Sequence, residues 1–325
     1  MTPVYQWKLN GINSGTNSSN FSYSPQPGDS IRCEMTSNLA CISGNPALSN
    51  KIVMVAFASP VVTFTNCFDS ITILTANPIR LKGGIPIGGT YSGPGVNSST
   101  GVFIPSAAGT GLKTIIYTYT NVYSCSANKS KTILVQADPA YICGNNLTDI
   151  RDNKLYPTVE IGSQCWMAKN LDFGFEISDL FPQTDNCIAE KYIRYSTFVN
   201  QYSIFYQWDE LMQYQTSEGS QGLCPPGWHV PTENDWTILF NYYQGNSVAG
   251  KPLQDSNING FKALRSGVFY LNSSWNFIGF ATLFWSSTSL SLFKSLSYGM
   301  NTYNYSVSFY PSSRANAFPV RCLRN

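Results

Sequence analysis

The chain has 325 residues, only 12% of them charged, with a formal net charge of +2. That length suits two or three domains, and the charge balance excludes the basic footprint of a nucleic-acid binder. Aromatic residues make up 14%, with 20 Tyr and 7 Trp, which fits an extracellular β protein or a binding surface, because Tyr gives contact area at low entropic cost; much of that Tyr must also serve a β-rich core. No apolar run approaches the roughly 20 residues that span a bilayer. Met1-Thr2-Pro3 leads straight into a strand-like segment without a visible signal peptide, so the chain is expected to be the C-terminal part of a longer secreted protein.

Residues 1–57 read as short strands: Val4–Leu9 before an Asn10-Gly11 turn, then Ser30–Met35 and Ile52–Phe57. Residues 58–137 read as a complete β-sandwich. Val61–Thr65, Ile71–Leu74, Thr114–Tyr119 and Thr132–Val135 are its strands, and Gly83-Gly84, Gly88-Gly89 and Gly93-Pro94-Gly95 its turns. The glycines are not a phosphate loop, since neither Lys-Ser/Thr nor a helix follows. The segment Tyr5-Gln6-Trp7 with Gly28–Cys33, and the segment Gly89–Val96, resemble the immunoglobulin-like and PKD-like repeats of Bacteroidetes surface proteins. The resemblance implies that the first domain lacks its leading strands and leaves an edge open at Tyr5–Leu9, where a partner strand or a second copy would add.

Ala137–Ala140 is the linker, and the last domain spans 138–325. It begins with a strand pair, Tyr156–Ile161 and Gln164–Met167, followed by an irregular stretch, Gly174–Asn200. A first helix is expected over Ser203–Gln215, with Phe205, Trp208, Leu211 and Met212 on one face, and a second over Thr232–Tyr243 with Thr232 as N-cap. Strands are expected at Phe261–Leu264, Val268–Leu271, Leu283–Ser286, Ser295–Met300, Tyr305–Phe309 and Phe318–Leu323, which makes the domain α+β.

The stretch Cys224-Pro225-Pro226-Gly227-Trp228-His229-Val230-Pro231-Thr232 organises this domain. With Asp149–Asp152, Tyr156–Leu171, Tyr206–Glu210, Phe284–Thr288 and Val320-Arg321-Cys322 in order, it resembles the Fibrobacter succinogenes major paralogous domain. The resemblance implies a C-type-lectin-like architecture, a place on bacterial cell surfaces and no defined chemistry. The whole chain is therefore read as multidomain: two all-β immunoglobulin-like sandwiches, the first incomplete, then an α+β C-type-lectin-like domain.

Nine cysteines spread singly suggest disulfides and an oxidising compartment; none forms CxxC, and the chain has one histidine, so no metal or cofactor is expected. Cys67 and Cys125 lie near strand ends that could meet. Cys33 and Cys41 are close enough in sequence to pair, or either has an upstream partner. The family's framework positions imply Cys224–Cys322, with Cys143–Cys165 the next pair. Cys187 is left over: free, or bonded to Cys165 instead, or odd because another pair is misassigned.

Enzyme readings are weak. His229 lies between Trp228 and Val230 beside a proline, in a motif read as structural, and no Gly-x-Ser-x-Gly occurs. The related formylglycine-generating fold binds copper through two cysteines, but here those positions are expected to be bridged. Asp209-Glu210 and Glu233/Asp235 are not opposed as acid and base. Trp275-Asn276 is followed by Phe277, so a lectin-type calcium site is not expected. What remains is an aromatic surface in 269–316. Tyr270, Trp275, Phe277, Leu290, Phe293, Tyr303, Tyr305 and Tyr310 are the candidate ligand-binding residues. The expected function is recognition of a protein or glycan at the cell surface, without nucleic acid or a membrane span. The alternatives are a fibre subunit joined at the first-domain edge and, further off, an oxidase or hydrolase.

Overall fold

Asn10 and Gly11 both take positive φ, 53° and 83°, as a two-residue hairpin turn demands. The turn folds Ile12–Ser14 back on Val4–Leu9. In this computed structural model, which describes all residues but 1, 40–42, 56, 198–200, 256–259, 271–273 and 304–305, the other side of Val4–Leu9 pairs along its length with Ser30–Thr36. That strand also meets Ala47–Leu48 and Ile52–Val53. The open edge expected at Tyr5–Leu9 is therefore corrected. Trp7–Leu9 have a strand on both sides, and the Tyr5 N–H donates to Asn17 Oδ1 at 2.8 Å instead. These strands make one five-stranded sheet. Ile31 is its buried aliphatic residue, and Trp7, Phe21 and Tyr23 stack in series.

The described chain forms two compact units, Met1–Val61 with Tyr119–Ala127, and Val62–Thr118 with Asn128–Asn325. The first holds the sheet above and the turn at 119–127, where Phe57 stacks on Tyr123 at 3.8 Å. In the second unit, Thr90–Ser92, Gly111–Thr120, Ser126–Gln136 and Ile71–Ile73 form a sheet in that order. Three further strands, Val96–Asn97, Val102–Phe103 and Ile79–Arg80, form another. Alternation places Ile115, Tyr117, Ile133 and Val135 inside. Glycine is required at position 84 because the Tyr117 ring lies where a Cβ would be, 2.5 Å away. The Tyr117 hydroxyl accepts from Gly89 N–H and donates to Pro86 O.

The remainder is mostly β, not α+β, and the chain's four helices among the described residues are short. Residues 203–207 form no helix. Gln201–Gln207 is a strand, paired with Glu190–Ser196 and Ala317–Phe318, and only Trp208–Leu211 makes a helical turn. Its apolar residues match helical spacing, but Ser203–Gln207 are buried on both faces, as in a central strand. Residues 174–197 supply the partner strand and also hold the strand Phe175–Glu176, and are less irregular than expected. Phe261 and Ala263 are core without being strand. Phe318–Leu323 divides into Ala317–Phe318 and Leu323–Arg324 around Pro319, which has no N–H to donate.

Helix Glu233–Tyr242 forms as expected. Thr232 accepts from Asp235 N–H, and the Asp235 carboxylate accepts from Thr232 N–H, a complete capping box. Its inner face carries Trp236 and Phe240 onto Trp166, Phe284 and Tyr298. Burying a side chain of this kind contributes roughly 1.5–3 kcal/mol. Indole N–H groups tie motif to motif. Trp285 donates to Tyr206 O and Trp208 donates to Ser286 O, both at 2.8 Å. The buried N–H of Ser287 donates to Pro231 O.

Cysteine pairing departs from the sequence reading at one bond. Cys143–Cys165 and Cys224–Cys322 are bonded. Cys67 is bonded to Cys187, with Cα atoms 4.3 Å apart, and not to Cys125. Cys125 is engaged in its own turn, where its N–H donates to Asn121 Oδ1 and its O accepts from Asn121 N–H. Cys33 has no disulfide to a described cysteine, and the suggested partner Cys41 lies outside the described residues.

Candidate functional site

Asp149 and Arg151 are two residues apart on a turn, so both side chains can face the same way. Arg151 grips the fully buried Asp149 carboxylate through Nε (2.9 Å) and Nη2 (2.7 Å). Its Nη1 reaches Asp69 Oδ2 at 3.2 Å, Nη2 also donates to Leu223 O at 2.8 Å, and the guanidinium lies 3.8 Å over the Phe173 ring. Burial disfavours the charge on Arg151, but Asp69 and Asp149 outweigh it and hold the guanidinium firmly protonated. Burial pushes the Asp69 carboxyl above its ordinary value, and Arg151 only partly offsets this.

This knot lines a cleft of about 560 Å³ between residues 66–82 and residues 151–223 of the second unit. The Cys67–Cys187 bond lies in its wall. The cleft is rich in cations, each with a partner inside the chain. Lys82 pairs with Asp185, Arg80 donates to Tyr214 O at 3.1 Å, and Lys154 lies 3.5 Å from Asp152 and 3.3 Å from Asp172. Among the described residues the lysines of the cleft are ion-paired, while Arg80 keeps its charge on a carbonyl partner. The sequence exposed Asp149–Asp152 as a motif, but nothing in it signalled the link to Asp69.

The candidate ligand residues do not form one patch. The antiparallel sheet Ala281–Ser289, Lys294–Asn301, Val307–Ser313 carries them at its two ends. Leu290 and Phe293 are exposed on one hairpin tip, with Phe293 78% exposed. Phe277 and Tyr303 are at the other end, where Phe280 stacks on the 81%-exposed Tyr303. The eight-residue strand between them puts the ends roughly 24 Å apart. Tyr310 lies on the edge strand over Gly299. Trp275 is structural: its Nε1–H donates to Asp179 Oδ2 at 2.8 Å, and its ring packs on Phe205 and Phe269. Tyr270 is half-buried beside the core, and Tyr305 lies outside the described residues.

His229 is committed to structure. Its ring nitrogens lie 2.9 Å from Asn325 Oδ1 and 3.1 Å from Asp235 Oδ2, the oxygen that caps the helix. Burial pushes the Asp235 carboxyl up, but hydrogen bonds from His229 and Thr232 outweigh it and hold it below its ordinary value. Glu210 is buried between Glu190 N–H (2.9 Å) and the Tyr214 hydroxyl (2.8 Å). Burial pushes its carboxyl up to about 7. Among the described residues no group of three or more His, Cys, Asp or Glu is placed to hold a metal ion, and no helix is long and apolar enough to cross a membrane.

The family model described as the Fibrobacter succinogenes major domain matches residues 159–324, slightly more than half of the chain. The match begins within the strand Leu155–Ile161 and ends at Arg324, so the Asp149–Asp152 turn precedes it. Neither a search of the curated proteins nor one of the solved structures returned a match.

Proposed function

The chain belongs to the Fibrobacter succinogenes major domain family, and from that premise we propose that it is a recognition protein of the cell surface or extracellular space. In this reading immunoglobulin-like β modules carry a C-type-lectin-like domain that binds a protein or glycan ligand in adhesion. Three disulfides fit an oxidising compartment. One observation carries the binding role: the sheet ends at Leu290/Phe293 and Phe277/Tyr303 hold large apolar side chains in solvent, where they add nothing to the core. Binding is favoured over catalysis because His229 is used by a helix cap and a chain end, and the cleft cations by internal partners.

The test is a glycan array and a cell-adhesion assay on the full chain and two variants, Leu290→Ser/Phe293→Ser and Phe277→Ser/Tyr303→Ser. The melting temperature should not change, and at least one variant should lose about tenfold in affinity, as expected of a contact residue worth more than about 1.4 kcal/mol. Wild-type binding by both variants would overturn the role assigned to these tips.

A further inference from the structure

Lys169 and Lys262 line a second cavity, of about 520 Å³. Both are exposed, and neither has an ion-pair partner among the described residues. The one carboxylate on the wall, Asp172, is already taken by Lys154 at 3.3 Å and by Lys191.

The wall is also positive from behind. Arg321, the centre of the Val-Arg-Cys motif, is 0% exposed. Among the described residues it faces no carboxylate. Its nitrogens donate to Asn170 Oδ1 at 2.6 Å and to the carbonyls of Met167, Phe261 and Lys262 at 3.1, 2.6 and 2.9 Å. Such acceptors solvate a guanidinium but leave its charge in place. An arginine can only donate, so Asn170 must turn its oxygen to Arg321. Asn170 Nδ2 is then left buried with no acceptor, on a residue that lines the cavity. Two lysines and one buried N–H donor thus line the cavity without an acidic partner among the described residues.

The remaining wall narrows the ligand. Tyr202 is 68% exposed and lies against Tyr195, ring centroids 5.0 Å apart, and Gln201 adds an amide. A flat ring face beside polar donors suits a pyranose, which presents an apolar C–H face and a rim of hydroxyls. The volume lies in the range of small-molecule pockets, roughly 300–1,000 Å³. From this arrangement we infer that the cavity binds an acidic sugar, its carboxylate held by Lys169 and Lys262 and its ring lying against Tyr202. The two lysines are exposed and strongly hydrated, so the attraction is screened by salt. The cavity shares no lining residue with the sheet ends, so the inference does not rest on the binding role given to them.

The experiment is calorimetric titration of the full chain with trigalacturonate, with its methyl ester, and with inorganic phosphate, at low and at high salt. The acid should bind, the ester should bind at least about tenfold more weakly, and added salt should weaken the acid alone. Lys169→Gln/Lys262→Gln should lose about tenfold for the acid with an unchanged melting temperature, and Tyr202→Ala should weaken the acid and the ester alike. Four results would each overturn the inference: no heat with the acid, equal affinity for the ester, wild-type affinity in the double lysine variant, or phosphate binding as tightly as the sugar.

Discussion

Replacing Glu210 by Gln should change how stability depends on pH. Glu210 is 1% exposed and keeps two hydrogen bonds, from Glu190 N–H and the Tyr214 hydroxyl. Burial pushes its carboxyl from an ordinary 4.5 up to about 7. Between those values the folded chain holds a proton that the unfolded chain has released. The folded state binds more protons there, so stability falls as pH rises through the window and levels off above the folded value. At about 1.4 kcal/mol per pH unit, the full effect is about 3 kcal/mol. Glutamine can accept from Glu190 N–H as before and has no charge to bury. Denaturant unfolding of wild type and Glu210→Gln, followed by tryptophan fluorescence at about pH 5 and about pH 8, isolates this group from all others. The variant should gain on wild type by about 2.5 kcal/mol between the two pH values. A stability difference that stays constant between them would show that burial does not hold the proton on Glu210.

Cys187→Ser should destabilise the second unit, because the Cys67–Cys187 bond spans a sequence separation of 120 and closing such a loop is worth roughly 5 kcal/mol in the chain-entropy model. Non-reducing peptide mapping should recover Cys67 with Cys187 and alkylate Cys125; a Cys67–Cys125 peptide would contradict the fold. His229→Gln should lower the melting temperature, by an effect of about 1–2 kcal/mol, and leave ligand affinity unchanged. A stable His229→Gln protein that had lost a measured activity would return this residue to the list of catalytic candidates.

The elements that could be read from the chain are those whose signals are local. Helix Glu233–Tyr242 announces itself through Thr232, Asp235 and the spacing of Trp236, Leu239 and Phe240. The strand pair Leu155–Ile161 and Gln164–Met167 shows as a β-rich run broken by Gly162, at φ 62°. Gln201–Gln207 was hidden because burial on both faces removes the alternation that marks a strand. Cys67–Cys187 was hidden because its partners belong to different sequence modules. The ligand residues were only half legible. Composition alone cannot separate Trp275, which is hydrogen-bonded to Asp179, from Phe293, which stands in solvent. Nor could it show that the exposed residues sit at opposite ends of one strand.

The disulfides also decide how this chain would carry tension. A pull between Val62 and Asn325 enters at Cys67, crosses to Cys187, runs to Cys224, crosses to Cys322 and leaves. Residues 68–186 and 225–321 hang off that route as closed loops, and force along the backbone cannot unravel them while the bridges last. Between the bridges only the segment from Cys187 to Cys224 can lengthen, to roughly 130 Å when fully extended. A protein that holds a surface against flow would gain from this wiring, since both sheet ends with exposed aromatics lie inside the shielded loops, whereas Tyr202 of the cavity lies in the segment that can lengthen.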